Sequence, residues 1–251
     1  MSTAPLFLVD PLPTGDTAVL DGAEGRHAAT VKRLRAGEDL LLADGHGGLA
    51  RAVVEGVAKD ALTLRVVDRS TLPAPAPRVA LVQALVKGDR GELAVELATE
   101  AGVDAVVPWR AARCVARWEA GARAEKALAR WRTTAREAAK QARRAWVPVV
   151  EESVTTAALA RRVATTAATL VLHESATAGI AAVDLPDDGE LLLVVGPEGG
   201  IADDELEALT TAGARAVRLG PEVLRASTTG AVALGALGVL TGRWGAGQSR
   251  V

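Results

Sequence analysis

The stretch ELLLVVGPEGGIADDELEAL, residues 190–209, decides the fold. A run of branched apolar residues stops at Gly196-Pro197-Glu198-Gly199-Gly200, and an acidic, helix-like stretch follows at once. The run predicts a buried strand, and α/β proteins bind their ligands where such strands end. Three glycines leave main-chain N–H and C=O groups open to close approach. The pentapeptide is therefore a candidate ligand loop, and a purely structural turn is the alternative.

The start of the next helix narrows the kind of ligand. Ala202 has no side-chain acceptor, so Asp203 is the predicted N-cap, with Asp204 and Glu205 offsetting the helix dipole. A phosphate at this position would face three carboxylates. The stretch also matches neither Gly-rich phosphate fingerprint. These features favour a neutral or cationic ligand.

Two further strand ends repeat the pattern. The stretch VRLGPEVLRASTTGAVALGAL, residues 217–237, predicts a short strand, a Gly220-Pro221 turn and a small-residue helix from Ser227 or Thr228. In TLVLHES another strand ends at His173-Glu174. Three strand ends converging on one pocket predict a site that holds an adenosine by backbone hydrogen bonds.

The remaining sequence divides by periodicity. With 251 residues, 49% of them hydrophobic, the chain is long enough for one large domain or two small ones. Up to about Asp68, short strand-like segments separated by Gly, Asp and Pro predict a small β-barrel or sandwich. The proline-rich run STLPAPAPR, residues 70–78, is the predicted domain boundary. Beyond it, strand–helix alternation predicts a mostly parallel sheet covered on both faces.

One helix of this second part has a definite predicted face. It begins near Gly88, with Leu93, Leu97 and Ala101 expected to point inward at four-residue spacing. Gly102 is the expected stop after its last turn.

Overall composition limits the class of protein. The net charge of −2 shows no global basic excess, so a nucleic-acid surface has to be local. The single cysteine, Cys114, cannot form an internal disulfide. No signal peptide is recognisable at the N-terminus, and the apolar segment 230–240 is too short to span a bilayer. A cytoplasmic protein without a membrane partner is expected.

Basic residues are concentrated in one segment. Residues 113–144 contain ten Arg or Lys and three Asp or Glu, with Trp118 and Trp131 among them and Trp146 just after. Arginines that neutralise phosphates beside aromatic rings that stack on bases are typical of RNA surfaces. A solvated helix whose tryptophans pack on the sheet is the alternative. A second cluster, RHAATVKRLR at 26–35, suggests an RNA-binding cleft shared by two domains.

In combination, these motifs resemble the RsmE family, SPOUT-class enzymes that use S-adenosylmethionine to methylate N3 of a uridine in 16S ribosomal RNA of the small subunit. The resemblance covers nearly the whole chain, including QALVKGDRGELAVELATEAGVDAVVPW and AREAAKQARRAWVPVV. It implies an α/β fold whose C-terminal methyltransferase domain, residues 73–251, has a mostly parallel sheet and a deep trefoil knot. It also implies a small PUA-like β-barrel for RNA binding, residues 1–72, and a homodimer.

The resemblance places the site residue by residue. The implied cofactor contacts are Leu172, His173, Glu174, Gly196, Pro197, Glu198, Gly199, Gly200, Leu219, Gly220, Val223, Leu224 and Arg225. The implied RNA contacts are Arg26, Arg33, Arg35, Lys87, Arg90, Arg143 and Arg144. This chain departs from the family's common residues at Ser227 (Glu), Glu222 (Arg), Lys140 (Glu) and Ala202 (Ser or Thr).

Methylation of uridine N3 requires loss of a weakly acidic proton, so the site has to stabilise the developing negative charge or accept the proton. Arg225 is the candidate for charge stabilisation, with a phosphate contact as its alternative role. His173 is a possible base, although a histidine at a strand end more often contacts cofactor or backbone. Three scattered histidines and one cysteine show no metal-ligand spacing.

Other functions remain open from the sequence. One is an RNA-binding dimer without turnover, and another is a SPOUT enzyme that acts on a ribose 2′-hydroxyl or on transfer RNA. A nucleotide-phosphate enzyme is disfavoured by the acidic helix start.

Overall fold

The computed structural model describes residues 4–118 and 121–245. Its contacts divide the chain into two compact units, described separately below. Unit 1 comprises Met1–Ala74 and Ala139–Val147, and unit 2 comprises Pro75–Ala138 and Pro148–Val251. The later segment of unit 1 is far from the rest of that unit in sequence.

Unit 1 is built on a five-stranded mixed sheet in the order β1-β3-β4-β5-β2. Its elements are β1 (Leu6–Leu8), β2 (Thr17–Leu20), α1 (Gly22–Arg26), a π-helical turn (His27–Val31), β3 (Asp39–Ala43), β4 (Gly48–Val57) and β5 (Leu62–Thr71). The short strand-like segments predicted up to about Asp68 are confirmed as β1, β3, β4 and β5. The edge strand β2 was not predicted, because only Leu20 of its four residues is buried and no apolar alternation marks it.

Both faces of this sheet carry apolar residues. In β3, Leu40 and Leu42 join one buried cluster, whereas Leu41 and Ala43 join another, as the alternation of side chains along a strand requires. Ala145 belongs to the second cluster and Trp146 packs against it. The segment Ala139–Val147, called the returning segment below, therefore covers part of the second face of the sheet.

Unit 2 is built on a seven-stranded sheet in which every pairing is parallel. The order is β12-β10-β11-β6-β7-β8, and β9 also pairs with β7. Its strands are β6 (Arg78–Ala84), β7 (Ala105–Arg110), β8 (Val149–Val150), β9 (Val154–Thr155), β10 (Ala168–Leu172), β11 (Glu190–Val195) and β12 (Arg215–Val217). The helices are α2 (Arg90–Glu100), α3 (Ala122–Gln141), α4 (Thr156–Val163), α5 (Asp203–Thr211) and α6 (Ala226–Leu240). The last residues of α3 belong to unit 1. The predicted parallel α/β sheet is confirmed.

Helix α2 buries a different face from the one predicted to point inward. Leu93 is 42% exposed, and the buried residues are Gly91, Ala94, Val95, Ala98 and Thr99. The helix packs against α6, and a Cβ at Gly91 would lie 2.8 Å from the Trp131 ring. Small residues face inward because these neighbours approach closely. The stop at Gly102 is confirmed, since it follows the last residues of the helix with φ +93°.

Within residues 4–118 and 121–245, no helix combines the length and the apolar character needed to cross a bilayer.

Candidate active site

A cleft of about 680 Å³ lies at the carboxyl ends of the adjacent strands β10, β11 and β12. Because the three strands are parallel, their last residues Leu172, Val195 and Val217 share one edge of the sheet. The expected convergence of three strand ends is confirmed. Every residue predicted to contact the cofactor lines this cleft: Leu172, His173, Glu174, the loop 196–200, Leu219, Gly220, Val223, Leu224 and Arg225.

The loop after β11 depends on its glycines. The Gly200 N–H donates to the Pro197 carbonyl at 2.9 Å, and Gly200 has φ +74°, which residues with a side chain rarely adopt. A Cβ at Gly196 would lie 2.7 Å from Ile201 Cγ1. Side chains at these two positions would therefore change the wall of the cleft.

The start of α5 differs from the prediction. Ala202, not Asp203, is the N-cap, and the Glu205 carboxylate accepts the Ala202 N–H at 3.4 Å. This bond from the N3 position is one half of a capping box, and it satisfies the backbone N–H of the N-cap residue. Glu205 is only 5% exposed, so the expectation that three carboxylates face the ligand is wrong for Glu205. Asp203 lines the cleft.

His173 is oriented by its own turn. Its backbone N–H donates to the Val217 carbonyl at 3.0 Å, joining the ends of β10 and β12. Its Nδ1 accepts the Ser175 N–H at 3.3 Å and lies 2.8 Å from Ser175 Oγ. These contacts hold the ring beside the cleft.

Arg225 is the N-cap of α6, which begins at Ala226, slightly earlier than predicted. Its carbonyl accepts the N–H groups of Thr228 and Thr229 at 2.9 and 3.0 Å. The backbone is thus fixed while the exposed side chain lies in the cleft. Ser227, at a position of departure from the family pattern, is 5% exposed, and the cleft is lined by its neighbours.

The sequence did not single out Arg113 as a site residue. Its Nη1 donates to the carbonyls of Gly199 at 3.3 Å and Ile201 at 3.4 Å. Arg113 was counted only as part of the basic segment, and nothing in the local sequence relates it to a loop 86 residues away.

Charges of both signs line the cleft. The basic residues are Arg90, Arg113, Arg218 and Arg225, and the acidic residues are Glu174, Glu198, Asp203 and Glu222. Of these, Arg90, Arg113, Arg218, Asp203 and Glu222 were not among the predicted cofactor contacts. A ligand with both positive and negative groups suits such a lining.

The predicted RNA contacts fall in both units. Arg26, Arg33 and Arg35 are exposed in unit 1, and the same unit contains Arg143 and Arg144. Lys87 and Arg90 lie in unit 2 beside a depression of about 780 Å³, which Glu198 also lines.

Trp131 is not available for the predicted stacking on bases. Trp131 is 2% exposed, and its ring meets that of Trp118 edge-on with centroids 5.0 Å apart. In unit 1, the Trp146 indole N–H donates to the Leu72 carbonyl at 3.2 Å. Packing, the alternative interpretation, applies to Trp131, because this residue of α3 is buried against Gly91 of α2 and the Trp118 ring.

Several basic residues of that segment form intramolecular ion pairs. Arg130 contacts Glu92 at 3.1 Å and Arg132 contacts Glu152 at 3.0 Å. The surface charge of the segment is therefore lower than its sequence suggests. In the part of the chain that the structure describes, no cluster of three His, Cys, Asp or Glu side chains is arranged to hold a metal ion.

Two protein-family models match the sequence. An RNA methyltransferase domain matches residues 73–238, and an RNA methyltransferase PUA domain matches residues 20–67.

Curated relatives match over almost the whole chain. The ribosomal RNA small subunit methyltransferase E of Mycobacterium tuberculosis is 58% identical, covering 98% of this chain and 95% of the relative. The protein of the same name from Bacillus subtilis is 30% identical, covering 90% and 91%.

Solved structures agree with this relationship. The methyltransferase E of Neisseria gonorrhoeae, bound to S-adenosylmethionine, has a TM-score of 0.82 at 27% identity, covering 95% of this chain and 98% of the other. A putative methyltransferase from Legionella pneumophila in complex with the same cofactor has a TM-score of 0.83 at 25% identity, with the same coverage.

Proposed function

Because this chain belongs to the ribosomal RNA small subunit methyltransferase E family, we propose that it methylates N3 of a uridine in 16S ribosomal RNA with S-adenosylmethionine. The observation that carries the proposal is the cleft at three adjacent strand ends, lined by every predicted cofactor residue.

The cleft fits that cofactor. S-adenosylmethionine combines an adenosine with a sulfonium and an amino-acid group, and so carries charges of both signs. Apolar residues such as Leu172, Leu219 and Leu224 suit the adenine ring, and carboxylates and guanidinium groups suit the charged end. Main-chain groups of the loop 196–200 are accessible because Gly196, Gly199 and Gly200 lack side chains. Asp203 and Glu198 favour a cationic ligand over a phosphate.

When bound, S-adenosylmethionine supplies an electrophilic methyl group on a positive sulfur. The chain's own task is to hold the target uracil and to stabilise the charge that appears when N3 loses its proton. We assign charge stabilisation to Arg225, because its backbone is fixed by the start of α6 and the exposed residue lines the cleft. His173 is assigned a cofactor contact, since its Nδ1 is engaged by Ser175.

We further propose that residues 1–72 form the RNA-binding domain and residues 73–251 the methyltransferase domain. The proposed RNA contacts are Arg26, Arg33, Arg35, Lys87, Arg90, Arg143 and Arg144. A homodimer, a deep trefoil knot in the C-terminal domain and a cytoplasmic location belong to the same proposal. Light scattering of the purified protein tests the dimer.

The RNA surface has a specific test. Arg26 and Arg35 are exposed in unit 1, so the double change Arg26→Gln, Arg35→Gln is expected to weaken RNA binding and reduce the salt slope by roughly one per lost phosphate contact. Cofactor affinity should not change. Arg51→Gln is the matched control, because Arg51 is also exposed in unit 1 and outside the proposed surface. Equal RNA affinity of wild type and double variant would remove these two residues from the surface.

Methyl transfer to small ribosomal subunits from a strain that lacks the protein tests the reaction itself. The expected product is N3-methyluridine, located by mass spectrometry. A methylated ribose, or transfer only to transfer RNA, would show one alternative target. Cofactor binding without transfer would support the non-catalytic dimer.

A further inference from the structure

Glu205 is the buried member of an otherwise exposed acidic group. It is 5% exposed, while its neighbours Asp203 and Asp204 are exposed. A carboxylate removed from water has to be compensated by hydrogen-bond donors, and those donors show what Glu205 does.

The donors come from three separate segments of unit 2. Glu205 Oε1 accepts the Ala112 N–H at 2.9 Å and the Thr156 hydroxyl at 2.6 Å. Its Oε2 accepts the Ala202 N–H at 3.4 Å. The Thr156 hydroxyl in turn accepts the Trp109 indole N–H at 3.1 Å. One carboxylate thus joins the turn after β7, the start of α4 and the end of the loop after β11.

The turn held by Glu205 touches the cleft through its next residue. Arg113 follows Ala112, and its guanidinium donates to the carbonyls of Gly199 and Ile201. Its Cβ would lie 3.3 Å from a Cβ placed on Gly199. The wall of the cleft is therefore held from both sides, by Arg113 over Gly199 and by Glu205 at Ala202.

We propose that Glu205 is a positioning residue for the cofactor: its buried carboxylate holds the Ala112–Arg113 turn against the Gly199–Ala202 loop and so keeps this loop in its ligand-binding shape. The inference rests on the proposed function for the identity of the ligand. Glu205 acts through the loop and through Arg113.

Four single variants and one double variant test the inference, and all measurements are made at a temperature at which each variant is folded. Glu205→Ala removes the carboxylate. Glu205→Gln keeps an oxygen that can accept from both Ala112 and Thr156. Arg113→Ala removes the contact that Glu205 supports. Asp204→Ala is the matched control, an exposed carboxylate one residue earlier in the same helix.

The first measurement is amide hydrogen exchange in the ligand-free protein. Glu205→Ala and Arg113→Ala should exchange the amide of Gly200, whose N–H donates to the Pro197 carbonyl, at least about tenfold faster than wild type, because the loop opens more often. Asp204→Ala should match wild type. Wild-type protection of this loop in folded Glu205→Ala overturns the inference.

The second measurement is S-adenosylmethionine affinity by calorimetry. The Kd should rise about tenfold or more in Glu205→Ala, and Glu205→Gln should recover part of this loss, because its amide oxygen accepts from Ala112 and Thr156 whereas its NH2 group cannot accept the Ala202 N–H. The combined variant Glu205→Ala, Arg113→Ala should bind no more weakly than the weaker single variant, because residues in one network are not additive. Additive effects, or a wild-type Kd in Glu205→Ala, overturn the inference.

Failure of the two proposals can be distinguished. If wild type binds the cofactor and Glu205→Ala binds it equally well, the positioning role is wrong and the proposed function stands. If wild type itself neither binds the cofactor nor transfers a methyl group, the proposed function is wrong and the inference fails with it. If Glu205→Ala does not fold, the inference is tested with Arg113→Ala and Glu205→Gln instead. In that case, a wild-type rate of amide hydrogen exchange in the loop of Arg113→Ala overturns the inference.

Discussion

Lys140 Nζ lies 2.9 Å from Glu24 Oε1, in an ion pair that ties the end of α3 to α1 within unit 1. Both side chains are largely excluded from solvent, with exposed fractions of 8% and 16%. Lys140 stands where the RsmE family pattern commonly has Glu, and in this chain a Glu at that position would face Glu24. The pair therefore belongs to the packing of the returning segment.

Removing Lys140 should destabilise unit 1. We expect Lys140→Ala to lower the free energy of unfolding by roughly 3–5 kcal/mol, because it removes one member of an ion pair that is largely excluded from solvent. Urea denaturation followed by circular dichroism measures the change. The control is Arg65→Ala, which breaks the Arg65–Glu55 pair with exposed fractions of 53% and 43% and should cost less than about 1 kcal/mol. Equal losses in the two variants would contradict this prediction.

Arg225 should affect turnover more than cofactor binding. Removal of a group that stabilises developing charge typically lowers kcat about 10²–10³-fold, and we expect a loss of this size for Arg225→Ala. The cofactor Kd should change much less. Single-turnover methyl transfer and calorimetry measure the two quantities. Arg215→Ala is the control, because Arg215 is exposed on β12 and does not line the cleft. Unchanged turnover in Arg225→Ala would exclude Arg225 from the mechanism.

A methyl group at Gly196 should distort the cleft. The new Cβ would meet Ile201 Cγ1 at 2.7 Å, so Gly196→Ala should cost roughly 1–3 kcal/mol of stability and weaken cofactor binding. In an Ile201→Ala background the same substitution should be better tolerated, because the obstructing atom is gone.

Gly179→Ala provides the control for Gly196→Ala. A Cβ at Gly179 would have its nearest neighbour, the Arg218 carbonyl oxygen, at 4.0 Å, so thermal stability should be close to that of wild type. Equal effects of Gly196→Ala in both backgrounds would show that the contact with Ile201 is not the cause.

Cys114 should react slowly with thiol reagents in the folded protein. It is 7% exposed, and burial raises the pKa of its thiol, with smaller contributions from the charges of Glu205 and Glu198. At pH 8, Ellman's reagent should therefore modify the native protein at least about tenfold more slowly than the urea-unfolded chain. The variant Cys114→Ser should give no signal, and comparable rates in native and unfolded protein would refute the prediction.

The raised thiol pKa also has a consequence for stability. The unfolded chain releases the Cys114 proton at a lower pH than the folded protein does. The free energy of unfolding is therefore highest, as far as Cys114 determines it, below the pKa of the thiol in the unfolded chain. It falls as the pH rises from that value through the higher pKa of the folded protein.

The local sequence predicted individual strands and helix ends well, and it predicted poorly which elements pack against one another. The strands β10, β11 and β12, the Gly102 stop and many of the residues around the cleft were predicted, because each has a local signal in apolar runs, glycines or a family motif. The two-residue strands β8 and β9 were not predicted. The inward face of α2 was wrong, because small residues at 91, 94 and 98 are needed only once α6 and Trp131 lie against the helix. For the same reason, the sequence left stacking and packing as alternatives for Trp131.

The sequence alone determined that parallel strands end in glycine-rich loops and that these loops line a site, because backbone freedom and hydrophobic periodicity act over a few residues. Three outcomes were decided only by the tertiary structure. They are the burial of Glu205 rather than Asp203 or Asp204, the position of Arg113 at the loop after β11, and the ion pair between Lys140 and Glu24. These outcomes depend on residues between 49 and 116 positions apart that meet only after the chain has folded. Desolvation and hydrogen bonding then select partners that no local pattern specifies.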